Sequence, residues 1–65
     1  MFNIMETRDE LRFEIVRRDV RIYRVAARVD LHPSRLGRIL RGREPLSDAL
    51  AQRIRAAIEA EEPRP

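Results

Sequence analysis

Ser34, Arg38 and Arg41 recur at i, i+4 and i+7, with Arg35 and Gly37 between them. On a helix this spacing gathers a hydroxyl and two guanidiniums on one face. A guanidinium is a planar fork of donors that meets phosphate, or O6 and N7 of guanine, with two parallel bonds, and Ser donates or accepts at several base edges. Gly37 clears a side chain from that direction and lets the helix lie close to a base or sugar. Equally, a glycine that costs about 1 kcal/mol inside a helix can be there to admit helix 2 or another subunit. His32, the only histidine, starts the same helix, where it meets a phosphate or base or caps the helix imperfectly. One His without Cys makes no metal site. Ser34 and Ser47 are both accounted for by helix ends, which leaves no Ser–His–acid set, and Glu59, Glu61 and Glu62 read as a solvated helix end. No enzyme, catalytic residue, metal or cofactor is expected.

These residues sit in an unevenly charged chain. The net charge of +3 is carried by fourteen basic residues, all Arg. Between Arg17 and Arg43, nine Arg face two acids, Asp19 and Asp30, a local +7; the remainder of the chain is −4. An excess of one sign in the middle of a small domain attracts a polyanion, unless it is only a solvated Arg-rich surface.

Hydrophobic periodicity predicts the elements that position the arginines. Thr7-Arg8-Asp9-Glu10 has the form of a capping box, which would start helix 1 at about Arg8 and run it to Asp19. Leu11 and Ile15 share one face of it; Phe13, Val16 and Val20 share the next. Helix 2 carries Ile22, Val25, Ala26 and Val29 as its apolar stripe, with Arg21, Arg24 and Arg28 pointing elsewhere. After a break at Asp30-Leu31-His32, Pro33 opens helix 3, which buries Leu36, Ile39 and Leu40 and stops at Gly42. Ser47 caps helix 4, with Leu50, Ile54, Ala57 and Ile58 inward. Residues 1–6 form an apolar arm, with Phe2-Asn3-Ile4-Met5 the one weak strand signal. Residues 7–61 form the domain, and 62–65 close the fraying Glu61–Pro65 tail. The expectation is an all-α domain of four helices, with helices 2 and 3 arranged as a helix-turn-helix.

Sixty-five residues make one domain and bury only about 60% of the unfolded surface. No Cys is available as a staple. No apolar run approaches a membrane span and no leader pattern opens the chain. Met1, Phe2, Ile4, Met5, Phe13 and Val16 are surplus to the core of helices 2 to 4. Either the arm folds over Phe13 and Val16, or these residues meet a second subunit.

Val25-Ala26 and the run Ser34-Arg35-Leu36-Gly37-Arg38-Ile39-Leu40-Arg41-Gly42 resemble the "LA" pair and the "S-x-[IL]-S-x-[IL]-E-x-G" recognition helix of the Cro/CI-type (XRE-like) helix-turn-helix family of phage and bacterial regulators. The resemblance extends from helix 1 to helix 4 and implies a lambda-repressor-like fold. It carries base-edge contact onto His32, Pro33, Ser34, Gly37 and Arg38, with Arg35 reaching base or phosphate. Arg38, one turn after Ser34, is the first choice for direct readout. Arg41 and Arg43 become phosphate clamps, Arg21 and Arg24 holders of the opposite strand, and Tyr23 a phosphate contact or an outer packing residue. The family's turn Gly is Asp30 here, a residue that tolerates the left-handed conformation. Its frequent Gln at the start of helix 2 is Ile22, which removes a phosphate contact. Its buried Arg–Glu pair falls on Ile15 and Leu40, which are therefore expected to meet; packed aliphatic residues in place of such a pair are often neutral or stabilising by about 1–4 kcal/mol. Its common fifth helix has no counterpart.

The implied function is a cytoplasmic, sequence-specific double-stranded DNA-binding transcriptional regulator of phage or bacterial type. It would work as a homodimer through the N-terminal arm and helix 1 or through helix 4, with no small-molecule effector evident. The alternatives are an accessory factor for recombination, excision or packaging, and a protein-interaction module that binds an acidic partner.

Overall fold

Three of the four helices end in the same backbone device. In the computed structural model, which describes residues 4–63 with side chains from Thr7 onward, the helices are α1 (Ile4–Arg17), α2 (Ile22–Arg28), α3 (Pro33–Leu40) and α4 (Asp48–Ala60). Asp19, Asp30 and Gly42 follow α1, α2 and α3 with φ of 51°, 58° and 84°. After α1, the Val20 amide donates to Ile15 O at 3.2 Å and the Asp19 amide to Val16 O at 3.1 Å. Leu31 and Asp30 repeat the pattern on Ala26 O (2.9 Å) and Ala27 O (3.2 Å), and Arg43 and Gly42 repeat it on Arg38 O (2.9 Å) and Ile39 O (3.1 Å). These are Schellman motifs, in which one left-handed residue reverses the chain and satisfies the last carbonyls. Gly42 takes this conformation freely, whereas the two aspartates are among the few other residues that tolerate it.

The start of α1 differs from expectation. The helix begins by Ile4, so Thr7 is interior and buried, and the Thr7–Glu10 capping box does not form. Thr7, Arg8 and Leu11 lie on the inward face, and packing that face in register requires helix upstream of Thr7. Glu10 instead reaches Arg55 of α4 at 3.2 Å. Ile4 and Met5 are helical rather than extended, and Glu6 of the expected arm is helical with them; Phe2 and Asn3 of the expected strand, and Met1, lie outside the described residues.

Leu11, Val20, Val25, Ala26, Val29, Leu36, Ile39, Leu40, Leu46, Ala51, Ile54, Ala57 and Ile58 form the core, with Ile15, Leu31 and Leu50 packed against it. The predicted stripes of α3 and α4 are therefore buried, Leu50 only partly. Ile22, expected in the α2 stripe, is 38% exposed because it opens that helix at the rim. The radius of gyration is 10.9 Å, against about 10.7 Å for a folded chain of this length. Ile15 and Leu40, expected to meet, line the same shallow groove between α1 and α3.

Candidate nucleic-acid interface

α3 is held at both ends. Pro33 occupies its first turn, and the His32 ring accepts the Ser34 amide at 3.1 Å through Nδ1. Because a backbone N–H can only donate, Nδ1 is the unprotonated nitrogen, and it also meets Ser34 Oγ at 2.7 Å. His32 is thus a helix cap, bonded to the Ser34 hydroxyl. At the far end, Arg8 of α1 is buried and donates from Nε to Ile39 O at 2.8 Å and from Nη2 to Glu44 O at 2.9 Å. With Leu36, Ile39 and Leu40 buried, Ser34, Arg35 and Arg38 are turned outward.

Arg35 and Arg38 converge on one acid. Arg38 Nε donates to one oxygen of Glu44 at 2.7 Å and Arg35 Nε to the other at 3.2 Å. The hydrogen bond from Arg38, aided by that from Arg35 against a desolvation cost, holds the Glu44 carboxyl below its ordinary range. The same two-to-one fork occurs twice more. Glu14 takes Arg17 and Arg18 at 2.7 and 2.9 Å, bonds that lower its pKa, that from Arg17 most. Glu61 takes Arg28 and Arg24, the latter at 2.6 Å. These bonds, Arg28's first, lower the Glu61 pKa, and Glu61 in turn raises that of Arg24. Each fork keeps one uncompensated positive charge.

The Glu61 side chain is only 3% exposed. It was expected among solvated acids in a fraying tail; instead it anchors the end of α4 onto α2, because two guanidiniums cover it. Arg21, Tyr23, Arg24 and Arg28 line a cleft of about 490 Å³ with Ala60, Glu61, Glu62 and Pro63. Gly37 is also placed differently from expectation. It is buried rather than turned outward, and a Cβ built on it would lie 3.4 Å from the Arg41 guanidinium. A methyl group there would be in ordinary van der Waals contact with the far end of the Arg41 side chain, four residues on.

Of the eleven candidate contact residues, Pro33 opens α3 and the other ten fall into groups. His32, Ser34, Arg35 and Arg38 belong to the outer side of α3, with Glu44 beside the two arginines. Arg21, Tyr23 and Arg24 belong to the α2–α4 cleft. Arg41 folds over Gly37, and Arg43 is exposed in the following loop. Arg21, Arg41 and Arg43 form no ion pair among the described residues, whereas Arg24, Arg35 and Arg38 do. Arg8, Glu44 and Glu61 were missed as positioning residues. Periodicity is blind to a loop acid such as Glu44, and only the reversal at Gly42 brings it back along α3. Among the described residues no group of three or more His, Cys, Asp or Glu could hold a metal ion, and no helix is long and apolar enough to cross a membrane. Comparison with family models, with curated proteins and with solved structures returns no match for the chain.

Proposed function

We propose that the chain is a sequence-specific double-stranded DNA-binding regulator of the Cro/CI helix-turn-helix kind, with α2 and α3 as the helix-turn-helix and α3 in the major groove. One observation carries the reading: Arg35 and Arg38 stand side by side on the outer face of a short helix whose opposite face is buried. A helix rigidly seated on a core, with planar donors projecting from it, is the form in which a major groove is read. Arg38 and Arg35 take base edges, Ser34 assists at the N-terminal end, and Arg41, Arg43 and Arg21 supply phosphate charge. The mechanism is occupancy of an operator by a cytoplasmic phage or bacterial protein, blocking or recruiting polymerase.

On this reading the working species is a two-fold dimer, its recognition helices about 34 Å apart on a pseudo-palindrome. Val16 and Phe13 of α1 are 78% and 63% exposed, and Ile15, Val16, Ile22 and Leu40 line an open groove of about 210 Å³. The large aliphatic residues of α4 are turned inward, which favours α1 over α4 as the contact with the second copy.

Selection from random duplex DNA tests the reading. A motif containing guanine is expected, with affinity falling about 0.9 log unit per log unit of salt for each phosphate neutralised. Arg38→Ala is expected to relax the preference at one position by about 1–3 kcal/mol. A flat selection at moderate salt rejects the proposal, and salt-sensitive capture of acidic proteins without sequence preference would favour the protein-interaction module.

A further inference from the structure

Glu44 lies in the loop between α3 and α4, yet four features fix its position. The left-handed Gly42 turns the chain back, and the Arg43 amide bonds Arg38 O at 2.9 Å. Buried Arg8 ties Glu44's own carbonyl to α1 at 2.9 Å, and Leu46, two residues on, is buried in the core. The carboxylate thus stands on a rigid base. It engages both arginines through Nε alone, one oxygen to each. Neither terminal edge is bonded among the described residues, and it is this edge, with two parallel N–H groups, that can span O6 and N7 of guanine. An arginine held by its Nε has fewer rotamers to lose on meeting a base, so more of the contact energy appears as discrimination. The carboxylate also repels a phosphate that would otherwise settle against the same pair, and so opposes sequence-independent binding.

We propose that Glu44 is a specificity-determining residue, which aligns Arg35 and Arg38 by their Nε–H groups for guanine readout and excludes phosphate from them. This rests on the DNA-binding reading above. It inverts the simple electrostatic expectation, in which deleting an acid beside a DNA-reading helix only improves binding.

The test compares the wild-type chain with Glu44→Gln, in selection from random duplex and in titration of the selected site against random duplex. Glu44→Gln is expected to bind random duplex more tightly, with the salt slope steeper by about one phosphate equivalent. Its preference for the selected site over random duplex is expected to fall at least about fivefold, the loss concentrated at guanine positions. An unchanged or sharper preference overturns the role of Glu44 while leaving the DNA reading intact. A wild-type chain that selects no sequence overturns the DNA reading, and this inference with it. Nitrogen-15 NMR of the arginine Nε–H groups supplies a second measurement, independent of DNA. The Arg35 and Arg38 signals should be shifted and protected relative to that of Arg43, and should lose that protection in Glu44→Gln. Equal exchange of all three in the wild type overturns the clamp itself.

Discussion

Gly37 shows how one residue's role depends on which way its helix faces. Its place in the sequence, beside Ser34 and Arg38, is compatible with close approach to DNA. In the fold it is buried, with the Arg41 guanidinium beside it. A Cβ there meets only the far end of a flexible side chain at 3.4 Å, an ordinary van der Waals contact. Ala is the better helix former by about 0.8–1 kcal/mol, so Gly37→Ala is expected to stabilise the domain by up to about that amount. Denaturant titration checks this, and a loss of stability would mean that the Arg41–Gly37 packing matters more than helix propensity. His32 carries the companion prediction. Asp is a strong N-cap and its charge suits a helix N-terminus, so His32→Asp should raise the midpoint of thermal unfolding while weakening duplex binding. A variant that gains affinity for duplex would remove His32 from the DNA face.

At the scale of elements, the helices that could be read from the sequence are those whose boundaries are set by local chemistry. Pro33 opens α3, Ser47 Oγ accepts the Leu50 amide at 3.1 Å to open α4, and Gly42 closes α3. The aliphatic spacing of α3 and α4 matches their buried faces because each packs one stripe on a single core. The start of α1 differs from expectation for the complementary reason: Thr-x-x-Glu is a local signature, whereas buried Arg8 meets partners more than thirty positions away, Ile39 and Glu44. The Glu44 and Glu61 forks were invisible for the same cause, since each joins segments that only the fold brings together. The turn between α2 and α3 yields a sharp expectation. Asp30 has φ of 58°, so Asp30→Val, β-branched in a left-handed position, should cost about 1–2 kcal/mol. Asp30→Gly, by contrast, should be close to neutral. Thermal melts of the pair check this, and equal behaviour of the two variants would contradict the strained turn.

For the molecule as a whole, the arginine-rich centre is held by acids from outside it. Glu14, Glu44 and Glu61 each bridge two of its guanidiniums, and all three have their pKa lowered, by the hydrogen bonds of Arg17, Arg38 and Arg28 first. A carboxylate whose pKa is lower folded than unfolded contributes stability above its unfolded value, about 4.3. That contribution is lost as the pH falls through the folded value, because the unfolded chain then binds more protons. Melting temperature should therefore hold above the unfolded value of about 4.3 and drop as the pH falls below it. Glu61→Gln, less stable than wild type at neutral pH, should show a shallower acid decline; identical slopes would deny the fork any part in it. At the same scale, the proposed dimer through α1 predicts that Val16→Asp shifts the chain toward monomer in sedimentation and weakens binding to a two-half-site operator more than to a single half-site. A chain already monomeric in the wild type would reject that dimer.

The brevity of α2 and α3 has a consequence for how the molecule opens. Seven and eight residues are too few for a helix to persist alone in water, where about 12–15 are marginal. Each exists because α1 and α4 hold it, through Arg8 on Ile39 O and through Arg53 on Val29 O at 3.1 Å. Neither can therefore detach and survive, and neither can melt without uncovering the core it helps enclose. Amide protons in the middle of α2 and α3 should exchange with deuterium at the rate of those in the middle of α4, through one shared global opening. A surface that meets its ligand on elements of this kind binds as a rigid body or is unfolded, with no half-formed state in between.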